Sequence, residues 1–377
     1  MTDKITVIGT RGIPNVLGGV ETHCQHLYPE IHRQFNTDIC VIARSPYVDY
    51  KTSSYQGVKT KAVWAPKKKS LEAIIHSTLA SLTTLFDGSK VVHVHAIGPG
   101  LVVPLLRLLG KKVVFTHHGP DYDRQKWGGF AKRILQLGEK LAATYANEVI
   151  VISEVINDII KEKYNRYDAH LIYNGVKLPT QLPQEKIDSA LAKFSLTAGN
   201  YFVAVGRFVE EKGFHDLINA YQQANLNIPL VIMGDTDHPT PYSEKLKQQA
   251  RDVEGVILTG FLKGKELQAI FSQAKTFVMP SYHEGLPIAL LEAMSYSLPA
   301  IVSNIPANLE VKLTPDTYFS VGNTEELTVQ LAQHAKNEYS NINYASYLEY
   351  YDWEKIATQT MAVYQNALTK KASSEQS

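Results

Sequence analysis

Cysteine is nearly missing from this chain. Its 377 residues include two, Cys24 and Cys40, with neither a CxxC spacing nor a disulfide framework. That excludes a stapled scaffold and suits a reducing cytoplasm. An excess of either charge is missing too. With 38 Lys and Arg against 37 Asp and Glu, the net charge is +1, and no global field draws the chain to nucleic acid. No apolar run approaches the length of a membrane span. The opening Met1-Thr-Asp-Lys-Ile5 enters an apolar strand without a signal-peptide pattern. There is no internal repeat, and the glycine-rich opening lacks the GxGxxG spacing of a dinucleotide fingerprint. What remains is an ordinary globular composition, 44% hydrophobic and 20% charged, at a length that favours two domains or one large one.

The stretch Pro280 to Met294 organises the rest. It follows the apolar run Thr276-Phe-Val-Met279, which reads as a buried strand, and it carries Pro287 where a helix should start. Gly285 lets backbone approach a ligand, and the helix that follows offers free N–H groups to a phosphate. Glu284 and Glu292 bracket this turn. Carboxylates repel phosphate, so the pair reads as acceptors for hydroxyls. A phosphate cradle between two hydroxyl acceptors describes a nucleotide-sugar site.

The chain around it alternates strands and helices. Apolar strands are expected at Lys4–Gly9, Asp38–Ala43, Val91–His95, Lys111–Thr116 and Glu148–Ser153, and again at Tyr201–Arg207, Pro229–Gly234, Val256–Leu262 and Pro299–Ser303. Ligands of open α/β sheets bind at strand carboxyl ends. That rule gathers His95, His117 and His118 at one edge. It also puts Gly18 and Gly19, which end a glycine-rich loop, beside a helix start where N–H groups could meet an anion. His93 and His95 point to one face of their strand, and His117-His118 could approach them, but zinc there is disfavoured because no acidic or cysteine ligand joins them, and no metal or other cofactor is expected. Arg207 and Lys212 flank the next strand-to-helix turn. Two fixed cations there can neutralise a departing diphosphate; the alternative is surface pairing with Glu210 and Glu211. Pro179 and Pro183 mark the linker between halves. Lys67-Lys-Lys69 and the basic helix from Arg124, with Trp127, Lys132, Arg133 and Lys140, allow two readings: contact with anionic lipid, or a solvated surface.

The Glu-Gly-Leu-Pro block with glutamates eight apart resembles the signature of family 4 retaining glycosyltransferases, and Gly206-Arg207…Glu211-Lys212-Gly213 resembles a second block of that family. Ile5 to Glu30 is similar to the opening of a bacterial rhamnosyltransferase-like subgroup of surface polysaccharide assembly. The resemblance implies the GT-B fold: two Rossmann-like α/β domains facing across a cleft, with a C-terminal helix crossing back near Trp353. The boundaries it suggests are 1–179 plus 353–377 for the acceptor-side domain and 180–352 for the nucleotide-sugar domain. It implies catalytic roles for Glu284, His118, Arg207 and Lys212. It implies donor contacts from Gly18, Gly19, Asn174, Phe261, Gly285, Leu286, Pro287, Ile288 and Glu292, and acceptor or sugar contacts from Glu21, His118 and Asp121. Asp121 could equally make an Asx turn, and Leu262 reads as core. Asp235-Thr-Asp237 spells the metal-binding DxD of the other common glycosyltransferase fold, but its position here makes it a false match. The expected partners are a nucleoside diphosphate sugar and a glycan or lipid-linked acceptor, with peripheral contact to acidic membrane on the cytoplasmic side. Two rivals remain: a nucleotide-sugar epimerase, and a non-catalytic nucleotide-sugar-binding subunit.

Overall fold

The structure is a computed structural model and describes residues 4–16, 18–66, 72–120, 122, 128–236, 238–285, 287–337 and 342–370. The chain divides into two compact units, Met1–Gly175 with Tyr350–Ser377, and Val176–Glu349. The first unit thus ends four residues before position 179 and resumes three before position 353. Among the described residues, no helix is long and apolar enough to cross a membrane.

Eight strands build the sheet of the first unit: β1 (Ile5–Ile8), β2 (Ile39–Arg44), β3 (Thr52–Tyr55), β4 (Val58–Val63), β5 (Val91–His95), β6 (Lys112–His117), β7 (Glu148–Val151) and β8 (His170–Leu171). Their order is 3-4-2-1-5-6-7-8. All neighbours are parallel except β3 and β4. Both faces of such a sheet are covered, which is why β1, β2 and β5 read as nearly unbroken apolar runs. The β3–β4 hairpin was not anticipated. Gln56 and Gly57, at φ 47° and 85°, make its turn, and Gln is a poor advertisement for the left-handed region that Asn or Asp usually fills. The readable signal was in β4, where buried Val58 and Thr60 alternate with exposed Lys59 and Lys61.

The final helix, Trp353–Thr369, belongs to the first unit. Asp352 caps it, accepting from Glu354 N at 2.9 Å. Ile356, Ala357, Thr360, Val363, Tyr364 and Ala367 recur at helical spacing and are buried. The apolar ones join Val7, Leu27, Tyr28 and Val91 in one core. Trp353 lies over Gly175, where an added Cβ would meet the indole at 2.3 Å.

The sheet of the second unit holds β9 (Phe202–Val205), β10 (Leu230–Met233), β11 (Val256–Gly260), β12 (Thr276–Met279), β13 (Ala300–Ser303) and β14 (Tyr318–Phe319), in the order 11-10-9-12-13-14. It is parallel throughout. The strand order reverses between β9 and β12, and in the first unit between β1 and β5. Crevices at such switch points, beyond the strand carboxyl ends, are where doubly wound sheets bind ligands.

Candidate active site

In the second unit, the loops after β9 and β12 flank the switch point. The first runs from Gly206 to Gly213. Gly213 sits at φ 64°, and a Cβ there would lie 2.2 Å from the carbonyl oxygen of Pro280, the residue after β12. Only glycine permits that approach. Tyr282 N donates to Glu211 O at 2.8 Å and ties the loops a second time. These contacts bring Lys212 to Glu284: Nζ to Oε1 is 2.5 Å, with both side chains mostly buried. Ser281 Oγ donates to the same carboxylate oxygen at 2.7 Å. The Lys212 stem passes Gly206, where a Cβ would come within 3.4 Å of it. Arg207, the next residue, is half-buried on this turn. Neither Glu210 nor Glu211 is the acceptor for Lys212; Glu284 is.

Pro287 is the N-cap of the Ile288–Ser295 helix rather than its first residue, a shift of one position from expectation. Its carbonyl accepts from Leu290 N at 2.9 Å and Leu291 N at 3.1 Å. Leu290, Leu291, Ala293 and Met294 face the core, while Ile288 and Glu292, four apart, share a half-buried face. Burial pushes the Glu292 carboxyl up to about 7. Among the described residues no side chain pairs with it. Gly285 is half-buried, Phe261 is 42% exposed just beyond β11, and Leu262 is half-buried rather than core. Leu286 and Asp121 lie outside the described residues, as do Lys67–Lys69, Arg124, Trp127 and Asp237. Asp235 pairs with Lys247 at 2.8 Å.

In the first unit, Gly18 is the N-cap of the Gly19–Phe35 helix at φ 149°. A Cβ on Gly18 would meet Glu21 Oε2 at 2.0 Å, whereas Gly19 faces open space. Glu21, expected on the acceptor side, turns its carboxylate into the glycine loop: Oε1 accepts from Arg11 N at 2.8 Å and Thr10 Oγ1 at 3.4 Å. It braces the loop that carries Gly18 and Gly19.

The expected grouping of His95, His117 and His118 needs correction. His117 faces the other side of the sheet, where Nε2 meets buried Glu139 at 2.7 Å; strand residues alternate faces. His93 and His95 share a face with rings 4.2 Å apart. His118 joins them, its Nε2 2.8 Å from His95 Nδ1. The third corner is His23, which the sequence reading missed. It sits among Val20, Cys24, Leu27 and Tyr28 on the inward stripe of its helix, and a histidine on an apolar stripe was the available signal. His23 Nδ1 bonds Asn174 Oδ1 at 2.6 Å, so Asn174 supports an imidazole. Burial drives all four histidines toward the neutral form: His23 down to about 4, and His93, His95 and His118 well below their usual range.

Glu292 generates a stability prediction. Its folded-state pKa of about 7 lies above the ordinary 4.5, so the folded protein holds this proton more tightly than the unfolded chain. Stability from this group is full below about pH 4.5, declines up to about pH 7, and then stays lower by on the order of 3 kcal/mol. Glu292→Gln without nucleotide should therefore melt higher than the parent at pH 8 and within a degree or so of it near pH 4.5. Equal offsets at both pH values would show that burial does not hold the proton.

Residues 17–179 match the family described as Glycosyltransferase Family 4, and residues 188–345 match Glycosyl transferases group 1. The chain is 26% identical over 384 residues to the alpha-maltose-1-phosphate synthase of Mycolicibacterium smegmatis, covering 93% of this chain and 96% of that protein. It is 24% identical over 259 residues to the capsular polysaccharide biosynthesis glycosyltransferase CapM of Staphylococcus aureus, covering 65% and 67%. Among solved structures it resembles sucrose-phosphate synthase from Thermosynechococcus elongatus, with a TM-score of 0.79 at 20% identity over 97% of this chain and 99% of that one. It also resembles Anabaena Alr3699/HepE in complex with UDP and glucose, at a TM-score of 0.74 and 16% identity over 97% and 100%. These structures share the GT-B fold with the present chain. With a family 4 domain in its first half and a group 1 domain in its second, the chain belongs to the two-domain GT-B glycosyltransferases.

Proposed function

We propose that the protein moves a sugar from a nucleoside diphosphate donor to a hydroxyl of a glycan or lipid-linked acceptor in surface polysaccharide assembly, retaining the anomeric configuration and using no metal. One observation supports this most: the Lys212–Glu284 pair joins the two loops that flank the β9/β12 switch point, and half-buried Glu292, unpartnered among the described residues, lies on the helix that follows the second loop. A diphosphate competes for Lys212, and Arg207 on the same turn adds a second fixed charge. The leaving group then gains its negative charge in front of cations already in place. Glu284, relieved of Lys212, accepts from hydroxyls of the transferred sugar. Glu292 accepts from the ribose, and the hydroxyl repays the cost of ionising a buried carboxyl. His118, neutral and oriented by His95, is assigned to the transferred sugar. Gly18 and Gly19 offer backbone N–H groups to the donor phosphates.

Retention rests on the resemblance of the Glu284–Glu292 block to family 4, and rhamnose, the donor sugar favoured here, on that of Ile5–Glu30. A panel of nucleotide sugars scored by thermal stabilisation selects the donor, because a bound ligand stabilises by mass action. Anomeric proton couplings of the product then report retention or inversion, and turnover of donor without acceptor would reveal the epimerase.

Lys212→Ala should lower kcat by roughly two to four powers of ten, since fixed charge on a leaving group acts mostly in the transition state. Near-normal turnover would remove Lys212 from the mechanism. In calorimetric titrations with nucleoside diphosphate alone, Glu292→Gln should weaken binding by about 1.5–3 kcal/mol, whereas Glu284→Gln should leave that affinity nearly unchanged and reduce turnover. An equal fall in both variants would overturn the division of ribose and sugar between them.

Excess EDTA should leave activity intact. Loss restored by manganese would overturn metal independence.

We also place the enzyme at the inner membrane face. The Gly129–Tyr145 helix exposes Phe130 and Leu137 beside Arg133 and Lys140, a mixture that suits acidic headgroups. Sedimentation with acidic vesicles should exceed that with neutral ones and fade with salt; equal sedimentation would count against it.

A further inference from the structure

The histidines of the first unit include a buried nitrogen that nothing among the described residues bonds. His23 Nε2 has no hydrogen-bond partner there, although His23 is only 4% exposed. Such a vacancy in the bonding of a buried polar atom is costly and calls for an explanation. One ligand atom each from His23, His95 and His118 lies within 4.8 Å of the other two. The three rings come from separate elements: the helix after the glycine loop, the end of β5, and the residue after β6.

We infer that His23, His95 and His118 form a site for one zinc-class divalent ion. The ligand set selects the metal. The sequence offered no acidic or cysteine ligand and so disfavoured zinc, but three imidazoles that converge suit zinc without one, and they disfavour magnesium or calcium, which take oxygen. Zinc–nitrogen bonds of about 2.0–2.1 Å place tetrahedral ligand nitrogens roughly 3.3 Å apart. His95 Nδ1 and His118 Nε2, now 2.8 Å apart, need only open slightly, and His23 must close in.

The outer partners suit the same purpose. Asn174 Oδ1 accepts from His23 Nδ1, so the proton sits there and the Nε2 lone pair faces the other rings. Tyr28 OH contacts His95 Nε2. With the His95 proton on Nε2, donated to Tyr28, Nδ1 keeps its lone pair; it accepts from His118 Nε2 and turns to the metal once the His118 proton shifts to Nδ1 of its own ring, and Tyr28 can pass its own hydrogen bond to His93 Nδ1 at 3.0 Å. Oriented outer-shell partners of this type are a regular feature of histidine metal sites. His118 is half-buried while His23 and His95 are buried. The fourth coordination position therefore opens on the His118 side, where water can complete the tetrahedron.

An ion bound here takes a lone pair of His118 and inhibits transfer; this consequence rests on the assignment of His118 to the transferred sugar. Zinc is then an inhibitor and not a cofactor, consistent with the activity expected in EDTA.

The test uses the full chain, stripped with EDTA and titrated with Zn2+ against a chromogenic competing chelator. One equivalent should bind, and Co2+ in its place should show the visible absorption of a four-coordinate site. His23→Gln and His118→Asn should each weaken zinc binding by roughly 100-fold or more, beyond the loss expected from an outer-shell change, while exposed His238→Gln should not. Thermal melts confirm folding, and if His23→Gln melts early, His118→Asn decides. Binding no tighter than about 0.1 mM, only about 5.5 kcal/mol, or one-equivalent binding that survives both substitutions, overturns the site and leaves the transfer reading standing. Tight binding without inhibition of transfer confirms the site and overturns the role of His118.

Discussion

Everything in the second unit's site depends on one close approach of backbone to backbone. Gly213 presses against the Pro280 carbonyl at a distance no Cβ would tolerate. Lys212 precedes it and Glu284 follows Pro280 by four residues, so a contact between main chains becomes an ion pair between side chains. The neighbouring strand ends obey the same constraint. Gly234, at φ 144°, would drive a Cβ to 1.9 Å from Gly206 O, and Gly234 N donates to Gly260 O at 3.0 Å. Glycine at the ends of β9, β10 and β11 keeps the crevice rim made of main chain, where a phosphate can approach N–H groups closely.

The two units manage buried polar groups differently. In the second, Lys212 and Glu284 neutralise each other, while Glu292 has no partner among the described residues and burial shifts it toward its protonated form. In the first, the histidines bond in a chain. Thr116 Oγ1 meets His93 Nε2 at 2.7 Å, Tyr364 OH meets His93 Nδ1 at 2.7 Å, and Tyr28 links His93 to His95. Such a network is stable only if each member is satisfied. His23 Nε2 is where it is not, and that atom lies beside His118, which the proposed mechanism uses.

The C-terminal helix ties this network to the fold. Tyr364 comes from that helix, and Trp353 at its start lies 5.6 Å from the His23 ring, centre to centre. Residues more than 300 positions apart thus set the surroundings of His23. Loss of the helix would remove core side chains and a hydrogen-bond partner of His93 together.

Local signals in the sequence determined the alternation of strands and helices, the strand ends rich in glycine, and the Glu284–Glu292 spacing across a strand–turn–helix unit. Apolar runs and glycine positions report conformations that nearest neighbours largely dictate. The Arg207 and Lys212 turn was legible for the same reason. Tertiary structure decided which side chains meet. His117 and His118 are adjacent in sequence, yet only His118 enters the cluster, because the pleat sends neighbours to opposite faces. His23 joins it through the rotation of a helix packed on the sheet, which no spacing rule in the chain announces. Glu21 could have faced a ligand, but the Arg11 N–H and the Thr10 hydroxyl of the glycine loop needed an acceptor and it supplied one. The ionisation of Glu292 was equally out of reach from sequence, since it follows from how much water the folded helix face excludes.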